Sequence, residues 1–214
     1  MAWDQGFMKP PFRRRSPRLR LVQSQDQPHP VSLARASMFG MWVFLGSLSI
    51  LFATSLFACL LVTIRAGAWH TDAHPGLPGK LWASTLFLLV VSLAFEIGRW
   101  QIRLNRQQVL AAMLLLANMF GIGFLLNQIQ VWRLVAEIAL PATAKSLYQF
   151  SFGVLTGLHA VHVLGGFVPL IICTVKAARG RYSSFDHAAV IYCTMYWHFL
   201  GLMWVMIVSA LLLL

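Results

Sequence analysis

Phe152-Gly-Val-Leu-Thr156-Gly157-Leu-His159-Ala-Val-His162-Val-Leu-Gly165-Gly166 sets two histidines among glycines inside the apolar run Leu147–Val175. A second stretch, Tyr196-Trp197-His198-Phe199 followed by Trp204, lies within Ala188–Leu214. Both runs exceed the about 20 apolar residues with which a helix crosses a bilayer. At that depth a charged side chain costs about 2.5–3.5 kcal/mol, and a neutral, partnered one less. The function of this chain is therefore sought around these histidines.

Composition agrees with membrane residence. Of 214 residues, 58% are hydrophobic and 11% charged, against about 25% charged in a soluble domain; mean hydropathy is +0.70. Spans are expected at Met38–Ile64, Leu81–Leu104, Val109–Val131, Leu147–Val175 and Ala188–Leu214, giving an all-α, polytopic five-helix bundle over 37–214. A four-span alternative discounts the second run, which holds Glu96 and Arg99, or the third, which holds Asn118, Asn127, Gln128 and Gln130. Cys59, Cys173 and Cys193 have no C-x-x-C spacing and read as small buried hydrophobes.

The basic residues set an orientation. Those before the first span, between the second and third, and between the fourth and fifth make 13 of the 17 Lys and Arg. The positive-inside rule then places the N-terminus in the cytoplasm and the C-terminus outside. Residues 1–36 are expected to form a basic, disordered cytoplasmic tail that helps to orient the chain. The Arg13–Arg20 cluster is also placed to touch anionic lipid or a partner subunit. Nothing in the tail reads as nucleic-acid recognition, whatever the pI of 10.6 suggests. His70, Asp72 and His74 sit close together in the longest loop, but no helix presents them to one metal ion.

Residues three apart share a helix face, so His159 and His162 look the same way from the fourth span. Counting about 1.5 Å per residue, His159 from the outer end of the fourth span and His198 from the inner end of the fifth, puts these two near mid-membrane, and a fourth–fifth helix pair is expected to bring His159 or His162 near His198. Three readings stay open. The imidazoles are structural, bonding across helices or to lipid or water; or two of them ligate a haem in a bis-histidine b-type cytochrome; or they belong to a proton path. Against the last, the acid well within a span, Glu96, has Arg99 three residues on as a helical partner. No Ser–His–Asp set, paired carboxylates, H-E-x-x-H or phosphate-binding loop is present, so no catalytic residue is assigned and any catalysis belongs to another chain.

From about Met38 onward the chain resembles the cytochrome c oxidase subunit III family of the haem–copper respiratory oxidases. Met41-Trp42-Val43-Phe44-Leu45-Gly46-Ser47 is similar to that family's M-W-x-F-L-x-S segment, and Gln128-x-x-Val131-Trp132 matches its Q-x-x-E-aromatic segment in part. The Phe152–Gly166 stretch and the Tyr196–Trp204 stretch are similar to its last two helices. Five spans correspond to the short bacterial form. The departures share one character: Leu48, Val131 and Gly201 stand where the family commonly has acids.

The resemblance implies an accessory, non-catalytic subunit of a terminal oxidase in the bacterial inner membrane. It implies no haem, copper or other metal in this chain, the haem and copper lying in partner subunits. The partners implied are subunit I, subunit II, structural phospholipid and a possible larger respiratory supercomplex. Trp42, Phe44, Ser47, Gln128, Trp132, Thr156, His159, His162, Gly165, Trp197, His198 and Trp204 become candidates for the interior, a lipid cleft or a subunit interface. A stand-alone b-type cytochrome and the equivalent subunit of a nitric oxide reductase are the alternatives.

Overall fold

The computed structural model describes residues 30–65, 79–137, 142–183 and 187–213. Two compact units are distinguished, Met1–Phe39 and Gly40–Leu214. Among the described residues there are five α-helices and no strand: α1 (Pro30–Arg65), α2 (Lys80–Arg103), α3 (Gln107–Glu137), α4 (Ala142–Ala178) and α5 (Ala188–Leu213). Each holds a segment long and apolar enough to cross a membrane, the shortest 24 residues in α2 and the longest 31 in α3. The chain is a multi-pass helical membrane protein. The four-span alternative falls, because the two doubtful runs both form full-length helices.

Helix α1 opens at Pro30, so residues 30–36, expected in the tail, are helical. Proline fits a first helical turn, where its missing N–H has no partner to lose. The rest of the tail, Arg13–Arg20 included, lies outside the described residues, as does the loop with His70, Asp72 and His74. Helix α3 continues to Glu137, past the expected end at Val131, and α4 starts at Ala142, ahead of Leu147.

The polar residues that made the third run look unclean are mostly spent on neighbouring helices. The amide of Asn127 donates to the Lys80 carbonyl (2.8 Å) and to Ser84 Oγ (2.7 Å) of α2. Asn118 donates to Thr174 Oγ1 of α4 (2.9 Å), and Gln130 Oε1 accepts from Lys80 Nζ (2.7 Å). In hydrocarbon a backbone or side-chain polar group has no water to turn to, so such bonds specify which helices meet.

Helices α2, α3, α4 and α5 pack in that order and α5 returns against α2, closing a ring. Helix α1 reaches this ring through long side chains. Phe52 is fully buried against His159 and His162 of α4 and Phe199 of α5, and Phe44 stacks on Tyr196 with centroids 6.1 Å apart.

The α2–α3 and α4–α5 turns share one construction. Asn105 (φ 58°) and Gly180 (φ 65°) take left-handed backbone conformations, which Asn tolerates and Gly adopts without strain. After α2, the Asn105 N–H bonds the Ile102 carbonyl and the Arg106 N–H the Gln101 carbonyl; after α4, Gly180 bonds Ala177 and Arg181 bonds Lys176. Both are Schellman closures, satisfying carbonyls that a helix end leaves open. The Gln107 amide donates to the Tyr182 carbonyl, tying the two turns to each other at one end of the ring.

Close approach of α4 and α5 depends on glycine. A β-carbon at Gly166 would fall 2.7 Å from Tyr196 Cε1, whereas one at Gly165 would stand 3.9 Å from the Tyr196 hydroxyl, an ordinary contact. Gly166→Leu is therefore expected to destabilise the bundle by about 1–3 kcal/mol, and Gly165→Leu by less than half as much. Reversible unfolding in mixed detergent–SDS micelles measures both; equal effects would contradict this account.

Candidate functional site

The ring's interior is filled by aromatic rings and one imidazole. Trp204 of α5 is fully buried, edge to face with Phe124 of α3 (centroids 5.0 Å, 88°) and 5.2 Å from the His159 ring. His159 is also fully buried, flanked by Phe124 at 5.7 Å and Phe52 at 6.2 Å. The indole N–H of Trp204 donates to Thr85 Oγ1 of α2 (3.1 Å), so this residue touches three other helices. Edge-to-face pairs add about 0.5–1.5 kcal/mol each beyond burial, and a buried indole needs the acceptor that Thr85 supplies.

A second layer is built on Trp197. Its ring is buried against Phe95 of α2 and Phe167 of α4, and its N–H donates to the Gly166 carbonyl (3.3 Å). The Tyr196 hydroxyl donates to the His162 carbonyl (2.8 Å). The His162 ring turns back on its own helix, Nδ1–H donating to the Leu158 carbonyl (2.7 Å). Towards the other end of the ring, the Trp132 N–H donates to Thr156 Oγ1 (2.9 Å), whose hydroxyl donates to the Phe152 carbonyl (2.6 Å).

Neither ring nitrogen of His159, and neither amide atom of the buried Gln128, has a hydrogen-bond partner among the described residues. Gln128 lies one turn beyond Phe124 on α3, so both sit on the α3–α4 face. Trp42, Phe44, Ser47 and Gly165 are exposed on this chain; the Ser47 hydroxyl bonds its own helix at the Val43 carbonyl (3.0 Å). The candidate residues thus divide into an interior set and an outer set on α1 and α4.

The expected meeting of His159 or His162 with His198 does not occur. His198 Nε2–H donates to Glu96 Oε1 of α2 (2.9 Å), and the other Glu96 oxygen lies 3.4 Å from Arg99 Nη2. The earlier depth estimate counted from opposite ends of two helices of unequal length. Measured from the shared α4–α5 turn, His159 is 19 residues from Ala178 and His198 is 10 from Ala188, which is about 28 Å against about 15 Å. The same arithmetic places Glu96 near His198, since it precedes the end of α2 at Arg103 by 7 residues. The Glu96–Arg99 pairing foreseen from spacing is present; its third member came from a different helix. Among the described residues no three His, Cys, Asp or Glu gather as metal ligands. The thiols Cys59, Cys173 and Cys193 are all buried, none in a disulfide.

The three positions where the resemblance leads one to expect acids are taken up by packing. Val131 is fully buried, Leu48 is partly buried against the core, and a β-carbon at Gly201 would meet Ser92 Oγ of α2 at 3.6 Å.

These features define a class: a polytopic helical bundle whose interior polar groups hold helices to each other and assemble no reaction centre among the described residues. The family model for cytochrome c oxidase subunit III matches residues 80–212, covering α2 to α5. The chain belongs to that family. It is 29% identical over 174 residues to a probable quinol oxidase subunit 3 of Staphylococcus aureus, covering 80% of this chain and 85% of that one. A probable quinol oxidase subunit 3 of Staphylococcus epidermidis is 27% identical with the same coverage. The cytochrome c oxidase subunit 3 of Corynebacterium diphtheriae is 26% identical over 190 residues, 86% of this chain and 88% of that one.

A double-mutant cycle tests the Glu96–His198 pair, which crosses from α2 to α5. Glu96→Leu and His198→Leu are each expected to cost about 0.5–2 kcal/mol, and the double variant clearly less than their sum, since the two share one bond. SDS-titrated unfolding measures the coupling. Strict additivity would mean that the 2.9 Å contact contributes nothing.

Proposed function

We propose that this chain is the accessory, non-catalytic subunit III of a haem–copper terminal oxidase in aerobic respiration. In this reading it packs beside the catalytic subunit I, with subunit II in the same complex, and stabilises subunit I during turnover. It also holds phospholipid between its helices. It sits in a bacterial plasma membrane with the N-terminus cytoplasmic and the C-terminus outside. The family match supports the subunit assignment; of the relatives, two are named for quinol and one for cytochrome c.

The stabilising role is supported by how the interior polar groups are used. Each buried indole bonds a neighbouring helix, and the His159 ring fills space among Phe52, Phe124 and Trp204. Four helices held this way form a rigid wall, and the exposed apolar residues of α1, including Trp42 and Val43, offer surface to lipid or to another subunit. The charge asymmetry of the sequence supports the orientation. At the end where Gln107 joins the two turns lie Arg99, Arg103 and Arg106 together with Lys176, Arg179 and Arg181.

The bis-histidine cytochrome reading is disfavoured by ring placement. His159 is enclosed by carbon, His162 bonds its own helix, and His198 is engaged by a carboxylate on α2. An axial pair needs two imidazoles facing each other across a gap.

A reduced-minus-oxidised visible spectrum of the purified chain is expected to show no haem band, and the chain is expected to co-purify with a haem–copper subunit. A stoichiometric band abolished by His198→Ala would overturn the reading. In the assembled oxidase, His159→Leu is expected to leave the initial rate of oxygen reduction unchanged and to shorten the active lifetime several-fold. Lowered initial turnover in a fully assembled complex would count against a purely supporting role.

A further inference from the structure

Two of the buried cysteines meet across the α4–α5 contact. Cys173 of α4 lies five residues before that helix ends at Ala178, and Cys193 of α5 lies five residues after its own begins at Ala188. At about 1.5 Å per residue, both stand about 7.5 Å into the bundle from the turn that joins the two helices.

Their register follows from packing elsewhere on the same seam. A β-carbon at Gly166 would stand 3.5 Å from Leu200 Cδ1, so these two positions face each other. Cys173 is seven residues on from Gly166, and Cys193 is seven residues back from Leu200. Seven residues make two helical turns less a small drift, which returns each helix to the same face. The antiparallel pairing that sets Gly166 against Leu200 therefore sets Cys173 against Cys193. The two thiols are hydrogen-bonding neighbours, and both side chains are buried, 2% and 3% exposed.

The surroundings of the two sulfurs are uneven. The Tyr182 hydroxyl and the Lys176 ammonium both lie towards Cys173. Tyr182 is buried, and its carbonyl accepts the Gln107 amide, which fixes the backbone that carries the ring. The thiolate is the reacting form of a cysteine, and a hydroxyl donor with a nearby cation is the setting in which it attacks. One sulfur so placed, with a second thiol against it, has the make-up of an attacking and a resolving cysteine. A disulfide spans Cα separations of about 4.4–6.8 Å, which two helices meet only at a close crossing, and Gly166 supplies one on this seam.

We propose that Cys173 and Cys193 are a site of reversible oxidation by a hydroperoxide, which joins α4 to α5 through a disulfide. The Cys173 sulfur attacks the terminal peroxide oxygen and the O–O bond breaks. The leaving oxygen takes the Cys173 proton and departs as an alcohol, or as water from hydrogen peroxide, and Cys173 becomes a sulfenic acid. The Cys193 sulfur then attacks the Cys173 sulfur, the S–S bond forms and the S–O bond breaks. The hydroxyl leaves as water with the Cys193 proton. One peroxide gains two electrons and the thiol pair loses two. In the orientation proposed above this end of the bundle faces the cytoplasm, whose small thiols return the pair to its reduced form by exchange. The pairing itself does not rest on the subunit assignment. Its consequence is a covalent tie between two helices that are otherwise held by close packing and a few polar bonds.

The full chain, purified in detergent with reductant and then freed of it, is treated with hydrogen peroxide, unfolded in SDS and labelled with a maleimide. The count of free thiols by intact mass is expected to fall from three to one and to return to three after dithiothreitol. Peptide mapping is expected to link Cys173 to Cys193 and to leave Cys59, also buried but on α1, as the free thiol. Cys193→Ala is expected to hold Cys173 as a sulfenic acid that dimedone captures, whereas Cys173→Ala leaves its remaining thiols reduced. The oxidised wild type is expected to unfold at higher SDS than the reduced chain, a shift absent from both variants, and circular dichroism shows that each variant keeps its helices. Wild type alone also decides the matter. Three thiols surviving in the folded chain, loss of all three together, or a link through Cys59 or between two chains each overturns the proposal. Dimedone on Cys193 in the Cys173→Ala variant overturns the assigned order of attack.

Discussion

Tyr196 can lie against α4 only because residue 166 has no side chain. The Gly166 carbonyl accepts the Trp197 indole while its bare Cα lets the Tyr196 ring approach, so one position supplies both the space and the bond. In a membrane the helices gain little by leaving lipid for each other, since both environments are apolar. What holds them is close packing and the few polar bonds that close packing permits. The α4–α5 approach at Gly166 sets the distance at which α5 can also reach α2, through Trp204 to Thr85 and His198 to Glu96. The closed ring follows from that spacing.

The positions where the family commonly carries acids are informative because the structure uses them for packing. Val131 fills the interior, Leu48 leans on the core and Gly201 leaves room along the α2–α5 seam. The carboxylate found deep in a span, Glu96, comes from a different helix and is answered by an imidazole and a guanidinium. A charge at membrane depth is tolerable with partners on two sides, whereas an isolated one is not. Polar character is thus retained at the rim of the bundle, while the centre is given over to rings.

Much of this was legible in the residues. Five apolar runs became five helices because each is long enough to satisfy its backbone internally and too apolar to do so in water. Glu96 with Arg99 followed from helical periodicity, and the cysteines proved to be buried thiols. The helix ends were less legible. Helix α4 extends beyond its apolar run, and that extra length misled the depth comparison of His159 with His198. Indole partners were illegible for a related reason: Trp132, Trp197 and Trp204 each donate to a different helix, or to a backbone atom with no signature in sequence.

The chain's composition by itself determined that it would live in a bilayer as five rods, because hydrophobic length is a local property that each segment carries alone. Its histidine- and glycine-bearing stretches likewise marked the family. Which faces of those rods would meet was decided only in three dimensions. Ring order depends on simultaneous fit among four helices, and no single segment encodes its neighbour's register. That is why His198 found a carboxylate on α2 and not an imidazole on α4: the partner was chosen by depth and rotation of whole helices, quantities that exist only once the bundle has closed.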